Sequence, residues 1–374
     1  MKKFNLLLRA VSCVLAALLL LPLSSCGLIS EILNEALGAL TADTTAAETV
    51  PDTTEVEPPE TRPQWEYVPD ADEVFASEAA REAARIADSA IAEAYRALCA
   101  FPDNGEIEVY DYDPANHPTA YATLSESRRE IYDTVYNAVS SFGTYSYNEK
   151  AEPAGFISHF LSVHDALKYD HPDIFMYYSF NSRAWDLVPV FFMPDADANS
   201  PAEDVARVRY AVEVFHCTVD RIVDKIPAGI TNYQKCIYLC AVITAICTYD
   251  YSLASSLDAY PPYGTLILGT CVCKGYADTF MLLANAAGIE CDRTWGSAGG
   301  GEHVWNRVQT SRGELYIDPT WTDNSVENHG YDIQFTTRFF MMTADDLDFE
   351  GYRNVTNHPE FLPDYSGESK DSSK

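Results

Sequence analysis

Apolar positions recur every three to four residues along several stretches of this chain, which is the spacing of helices with one buried face. The first runs from Ala71 to Leu98, where Ile86, Ala90, Ile91, Ala94, Tyr95 and Leu98 make one stripe. A second is predicted around 125–140, with Ile131, Val135 and Val139 on one side. The aromatic run in KYDHPDIFMYYSF breaks that rhythm and suggests strands, and His171 before Pro172 reads as a structural turn residue. Two longer helices follow. One spans roughly 202–225, with Val205, Val208, Ala211, Val212, Phe215 and Val219 inward. The other, about 232–248, is apolar nearly all round and is expected to be central.

After residue 268 the pattern changes again. CKGYADTFMLLANAAG places Phe280, Leu283, Ala284 and Ala287 at helical spacing and stops at Gly288, so a helix is expected to begin near Cys273. Further on, GEHVWNRVQTSRGELYIDPTW alternates apolar and polar residues on both sides of TSRG, which reads as a hairpin. A two-residue turn at Ser311-Arg312 sets Val308 opposite Leu315, His303 opposite Thr320 and Trp305 opposite Asp318. His303 and Asp318 then share a face as diagonal neighbours, a conclusion that a bulge would reverse. The run Gly299-Gly300-Gly301 reads as a flexible loop, without the strand-then-helix context of a phosphate loop.

Composition narrows the class. With 24 Tyr, 17 Phe and 5 Trp in 374 residues there is ample apolar mass for a core. The formal charge of −31 is spread along the chain and leaves no basic stripe, which argues against a nucleic-acid partner. The N-terminus has a basic head (Lys2, Lys3, Arg9), an apolar run and the tetrad Leu-Ser-Ser-Cys ending at Cys26, so residues 1–25 read as an export signal. The tetrad resembles a bacterial lipobox. That resemblance implies cleavage before Cys26, a lipid on that residue and an extracytoplasmic, membrane-anchored protein. Residues 26–70 are rich in Thr, Glu and Pro and read as a disordered tether, as residues 366–374 read as a disordered tail. The segment PDADANSPAED (194–204) looks like the start of a calcium loop. It has Ser200 where glycine is needed and Ala206 where a bidentate glutamate is needed, so it is expected to be a solvated acidic loop.

Of the ten cysteines, Cys13 lies in the signal and Cys26 is the expected anchor. Cys236, Cys240 and Cys247 fall on one face of an apolar helix and read as small buried hydrophobes. Cys271 and Cys273 leave three readings open: a nucleophile, a buried thiol, or a pair of metal ligands. Position favours Cys273 as the nucleophile. It stands at the expected helix start, where the backbone dipole and free N–H groups stabilise a thiolate, whereas Cys271 lies upstream in extended chain. A thiol nucleophile needs a base, and the base needs an orienting group. His303 and Asp318 are the candidates, against a satisfied core histidine and a turn cap before Pro319.

CKGYA, HVWN and IDPTW together resemble the bacterial transglutaminase-like family of the papain-like superfamily. The likeness extends upstream to TYDYS and AYPPYGTL and downstream to RFFMMTADDL, covering roughly residues 200–348, with a weaker echo in DHPDIF. Val304 departs from the alanine common there, and Thr322 from an acidic residue. The resemblance implies an α+β fold, a transglutaminase-like (papain-like) core with the nucleophile helix packed on an antiparallel sheet. It implies Cys273 as nucleophile, His303 as base and Asp318 as orienting carboxylate, with Tyr263 and Tyr276 lining the site and Tyr263 donating to an oxyanion. No cofactor or metal is implied. The expected organisation is a mainly helical N-terminal α+β region over 71–200 and the transglutaminase-like domain over 201–365. The expected function is attack on peptide or amide bonds through a thioester, passed to water or to an amine, with a peptide or protein substrate such as cell-wall peptide. A catalytically silent surface module with the same fold is the alternative.

Overall fold

The alanines of the first helix explain how the helical part of the molecule packs. The computed structural model describes residues 78–103, 105–113, 117, 119–143, 145–146, 156–183, 186–191, 205–252, 262–323 and 335–357. The export signal with Cys26, the tether, the acidic loop at 194–204 and the C-terminal tail lie outside these residues. Helix α1 (Glu78–Ala100) buries Ala80, Ala83, Ala87, Ala90, Ala94 and Ala97 together with Ile91. Such a seam of small side chains lets two helices approach closely. It lies along α5 (Val205–Asp224) and α6 (Asn232–Ile246). The bulkier expectations for this face were only partly right. Tyr95 is 41% exposed, its hydroxyl donating to the Lys225 carbonyl at 2.7 Å, and Ile86 is only half-buried.

Helix α5 buries Val208, Ala211, Val212, Phe215 and Val219 as its periodicity requires. Val205, counted inward from sequence, is exposed because it opens the helix. Helix α6 begins with a capping box between Thr231 and Gln234 and buries every residue from Cys236 to Thr244. It is enclosed on all sides, which is why its apolar pattern has no polar face. Between α1 and α5 stand the short α2 (Ala120–Thr123), α3 (Glu126–Ser140) and α4 (Phe156–Asp170), with strands β1 (Tyr145–Ser146), β2 (Tyr177–Arg183) and β3 (Asp186–Phe191). Ile131, Val135 and Val139 of α3 are buried as expected. The three strands form an antiparallel sheet in the order β1-β3-β2.

The second half carries the main sheet. Two short parallel strands, β4 (Thr248–Tyr249) and β5 (Thr270–Cys271), lead into α7 (Cys273–Ala286). Then β6 (Cys291–Ala298), β7 (Gly301–Thr310), β8 (Gly313–Ile317), α8 (Ala344–Glu350) and β9 (Arg353–Asn357) follow. Strands pair antiparallel in the order β8-β7-β6-β9, and α7 packs on β6 and β7. The hairpin register matches the sequence argument, with Val308 opposite Leu315 and the turn at Ser311-Arg312. Gly299 and Gly300 do not form a loose loop. Both have positive φ (59° and 88°) and make a two-residue turn between the paired residues Ala298 and Gly301.

All described residues belong to one compact unit, Pro59–Lys374. The largest hydrophobic cluster among the described residues runs from α1 through α7 to Met341, and a smaller one gathers Trp305, Phe339 and Tyr352. Tyr110 is also hydrogen-bonded to Glu290 and Gln309, and Tyr112 to Gly288, which ties the earlier helical region to the end of the main sheet. The architecture is mixed helix and antiparallel sheet, of the α+β kind, with helices leading and the largest sheet last.

Candidate active site

Cys273 is set by an abrupt change of backbone direction. Strand β5 is held by β4, with the Thr248 N–H donating to the Gly269 carbonyl and the Asp250 N–H to the Cys271 carbonyl, each at 2.9 Å. Val272 is still extended (φ −103°, ψ 180°), and α7 starts at the next residue with no side chain capping it. The first N–H groups of α7 therefore have no intrahelical partner and point along the axis past Cys273. Cys273 is partly exposed, whereas Cys271 is fully buried. Gly275 makes this tight entry feasible: a Cβ there would fall 2.6 Å from the Cβ of Cys271.

His303 and Asp318 are delivered by the hairpin. His303 lies on β7, and Asp318 is the first residue beyond β8. His303 Nε2 is 2.6 Å from Asp318 Oδ2. The Tyr352 hydroxyl donates to the same oxygen at 2.6 Å, and the Trp321 N–H donates to Oδ1 at 3.1 Å. Asp318 thus caps its own turn with one oxygen and holds the histidine with the other, so the two readings of this residue are compatible. With Nε2 engaged by the carboxylate, Nδ1 is the ring nitrogen left open, and Cys273 stands close enough to the imidazole to raise its pKa. Trp321, Trp305 and Tyr352 surround the ring, with centroids 5.0, 5.8 and 6.1 Å away.

The electrostatics follow from this enclosure. Burial, the largest single influence, lowers the pKa of His303. The charge and hydrogen bond of Asp318, together with Cys273, outweigh it and raise the value from 6.5 to about 10. The imidazole is then a cation at neutral pH, beside the sulfur and at the positive end of a helix. Both features place positive potential where a thiolate carries its charge. Asn306 keeps the parts in register: its Nδ2 donates to the carbonyls of Ala277 on α7 and Asp292 on β6, at 3.0 and 3.3 Å.

The two expected tyrosines stand elsewhere. Tyr276 is fully buried, its hydroxyl donating to Asp323 Oδ2 at 2.8 Å, so it braces the core behind the nucleophile and does not line a surface cleft. Tyr263 is nearly buried and packs its ring on Phe175 (4.6 Å) and Phe215 (6.4 Å). The tyrosine found beside Cys273 is Tyr249, which is half-buried. Burial first, and then the Cys273 sulfur, raise its pKa to about 12, so the phenol is neutral at ordinary pH. Tyr352 and Tyr249 had no local signal in the sequence beyond the TYDYS likeness. Each meets its partner through pairing that only the folded chain defines.

Cys271 and Cys273 point to different neighbours, Cys271 to Cys247 and Thr265, and Cys273 to His303. No group of three or more His, Cys, Asp or Glu residues suited to a metal occurs among the described residues. A cavity of about 410 Å³, lined by Tyr112, Tyr132, Tyr136, His171, Met281 and Asn285, lies toward the far end of α7, away from Cys273. What the site can do chemically is nucleophilic attack by sulfur with an adjacent proton donor of fixed orientation. Compared with known protein families and curated proteins, the chain matches no family model and no curated sequence.

Proposed function

We propose that the protein is an acyl-transfer enzyme of the transglutaminase-like kind, built on a papain-like core, that works through a thioester on Cys273. The observation that carries this reading is the buried His303–Asp318 pair, 2.6 Å apart, with Cys273 at a helix start near enough to the ring to raise its pKa. The resemblance of CKGYA, HVWN and IDPTW supports it from the sequence. Cys273 Sγ attacks an amide carbonyl, and the C–N bond breaks as the His303 imidazolium gives its proton to the leaving amine. The backbone N–H groups at the start of α7 face the developing oxyanion. Asp318 keeps the ring oriented and stabilises its charged form. Water or an amine then takes the acyl group from sulfur. The substrate class is a peptide or protein amide, and the Cys26 lipobox supports action at the outer face of a membrane, with cell-wall peptide within reach.

The test is capture of the thioester. The protein is incubated with the p-nitrophenyl ester of an N-acyl amino acid and its intact mass followed. One acyl group on Cys273, removed by hydroxylamine and absent in Cys273→Ala, is the expected result. Acylation that spreads over other residues, or none at all, sinks the enzymatic reading in favour of a silent binding module.

A further inference from the structure

Cys247 and Cys271 take no part in the chemistry above, yet their sulfurs lie against each other. Their Sγ atoms stand 3.3 Å apart, nearer than two sulfurs in ordinary van der Waals contact, and both side chains are buried. The placement follows from local backbone. Helix α6 ends at Ile246, and Cys247 is already extended (φ −98°, ψ 145°), with its N–H still held by the Ile243 carbonyl. Its side chain therefore leaves the helix face that periodicity assigns to it and turns toward β5. On the other side, β4 and β5 pair with Tyr249 opposite Cys271, which fixes Cys271 relative to the residues just after Cys247. The Thr265 hydroxyl holds the Cys271 sulfur at 3.2 Å, and Gly275 leaves the space it occupies.

We propose that Cys247 and Cys271 are a disulfide site, and that the bond clips the end of α6 to the strand that leads into Cys273. The oxidant is a protein or small-molecule disulfide. A thiolate of the pair attacks it, expelling one external thiol and leaving a mixed disulfide. The second cysteine attacks the inner sulfur and expels the other external thiol. Two electrons pass from the cysteine pair to the oxidant, and the two cysteine protons end on the two thiols released. Burial, followed by the contact with Cys247, pushes the Cys271 thiol well above its ordinary pKa. The exchange is accordingly slow once the fold has closed and belongs to folding itself. The same burial shields the finished bond from reductants. The clip fixes β4 against β5, and so the turn at Val272 from which α7 and its nucleophile start. It also leaves Cys273 without a free thiol on the strand that leads into it.

The bond does not depend on the acyl-transfer reading, and the two fail separately. The full chain is folded with oxidised glutathione, quenched with N-ethylmaleimide in acidic denaturant, and digested without reduction. The expected result is a crosslinked pair of peptides containing Cys247 and Cys271, lighter by two hydrogens than their sum, with Cys273 carrying maleimide. The oxidised protein is expected to melt about 5 °C above the reduced one, a difference that disappears in Cys271→Ser and in Cys247→Ser. Recovery of both cysteines as maleimide adducts from the oxidised protein, or a Cys271–Cys273 link, overturns the proposal. Peptide mapping of the unsubstituted chain decides the matter even if the serine variants fold poorly.

Discussion

The main sheet and α7 enclose two ionic pairs of nearly identical construction, and only one of them looks like chemistry. Arg293 on β6 meets Asp278 on α7 at 2.5 Å, each residue 1% exposed, with the guanidinium over the rings of Tyr169 (4.0 Å) and Trp295 (5.3 Å). His303 meets Asp318 at 2.6 Å, also buried and also walled by aromatic rings. The guanidinium cannot release its proton at ordinary pH, and Asp278 is engaged a second time by Lys274. No reacting atom stands at that pair. The imidazole can move a proton, and a partly exposed sulfur at a helix start stands close enough to raise its pKa. Burial of opposite charges is therefore no sign of function in itself. What separates the two is a titratable member with a nucleophile beside it.

The largest effect expected from breaking this comparison is on stability, at the inert pair. Asp278→Ala strands the Arg293 charge in the core, a loss of about 3–5 kcal/mol. A fall in Tm of roughly 10 °C is expected by calorimetry. Below that Tm, alkylation of Cys273 should stay within a few-fold of the unsubstituted protein. A large loss of thiol reactivity without a loss of stability contradicts the assignment of this pair to structure.

At the other pair the same kind of change should act in the opposite sense. Asp318→Asn keeps the shape and can still accept from Tyr352, so the Tm should fall much less than in Asp278→Ala. The Cys273 alkylation rate near neutral pH should drop on the order of 10–1,000-fold, because the imidazolium loses its counter-charge. If the variant melts normally and its rate profile against pH is unchanged, Asp318 is a turn cap alone.

A smaller signature lies in the pH dependence of stability. The His303 pKa is raised in the folded state, so the protonated ring stabilises the fold fully below pH 6.5. That contribution is lost as pH rises from 6.5 through about 10. Lys168 opposes it. Burial and the like charge of Lys274 lower its pKa to about 8, so the folded state gains stability there as pH climbs toward the ordinary value of 10.5. The difference in Tm between the unsubstituted chain and His303→Gln isolates the histidine. It should shrink from pH 6.5 to 10, and a constant difference contradicts the shift.

The same contrast shows what sequence alone can reveal. The His303–Asp318 pairing was legible because both residues sit in one hairpin, where alternation and a two-residue turn fix the face of every side chain. Cys273 was legible because a helix start is a local event. Strand β6, CDRTWGSA, had no such signature. Cys291 to Thr294 are all buried, so there is no alternation, and the polar character of Asp292 and Arg293 is answered by partners far along the chain. Tyr352 reaches Asp318 across 34 residues, which no periodicity encodes. Cys247 was assigned to a helix face by counting, and the count failed because α6 ends one residue earlier. Tyr276 and Tyr263 were placed at the site by likeness to a motif, and packing put their rings in the core.

The central claim is that thiol, imidazole and carboxylate act as one coupled unit, and titration of His303 by nitrogen NMR on the full chain tests it most directly. The ring should be protonated at pH 8 and titrate near pH 10. After Cys273 is capped with methyl methanethiosulfonate, the influence of the thiol that raises the ring's pKa is removed, and the midpoint should move down. A ring that titrates at or below 6.5 before capping, or a midpoint that capping leaves unmoved, contradicts the coupling on which the account rests.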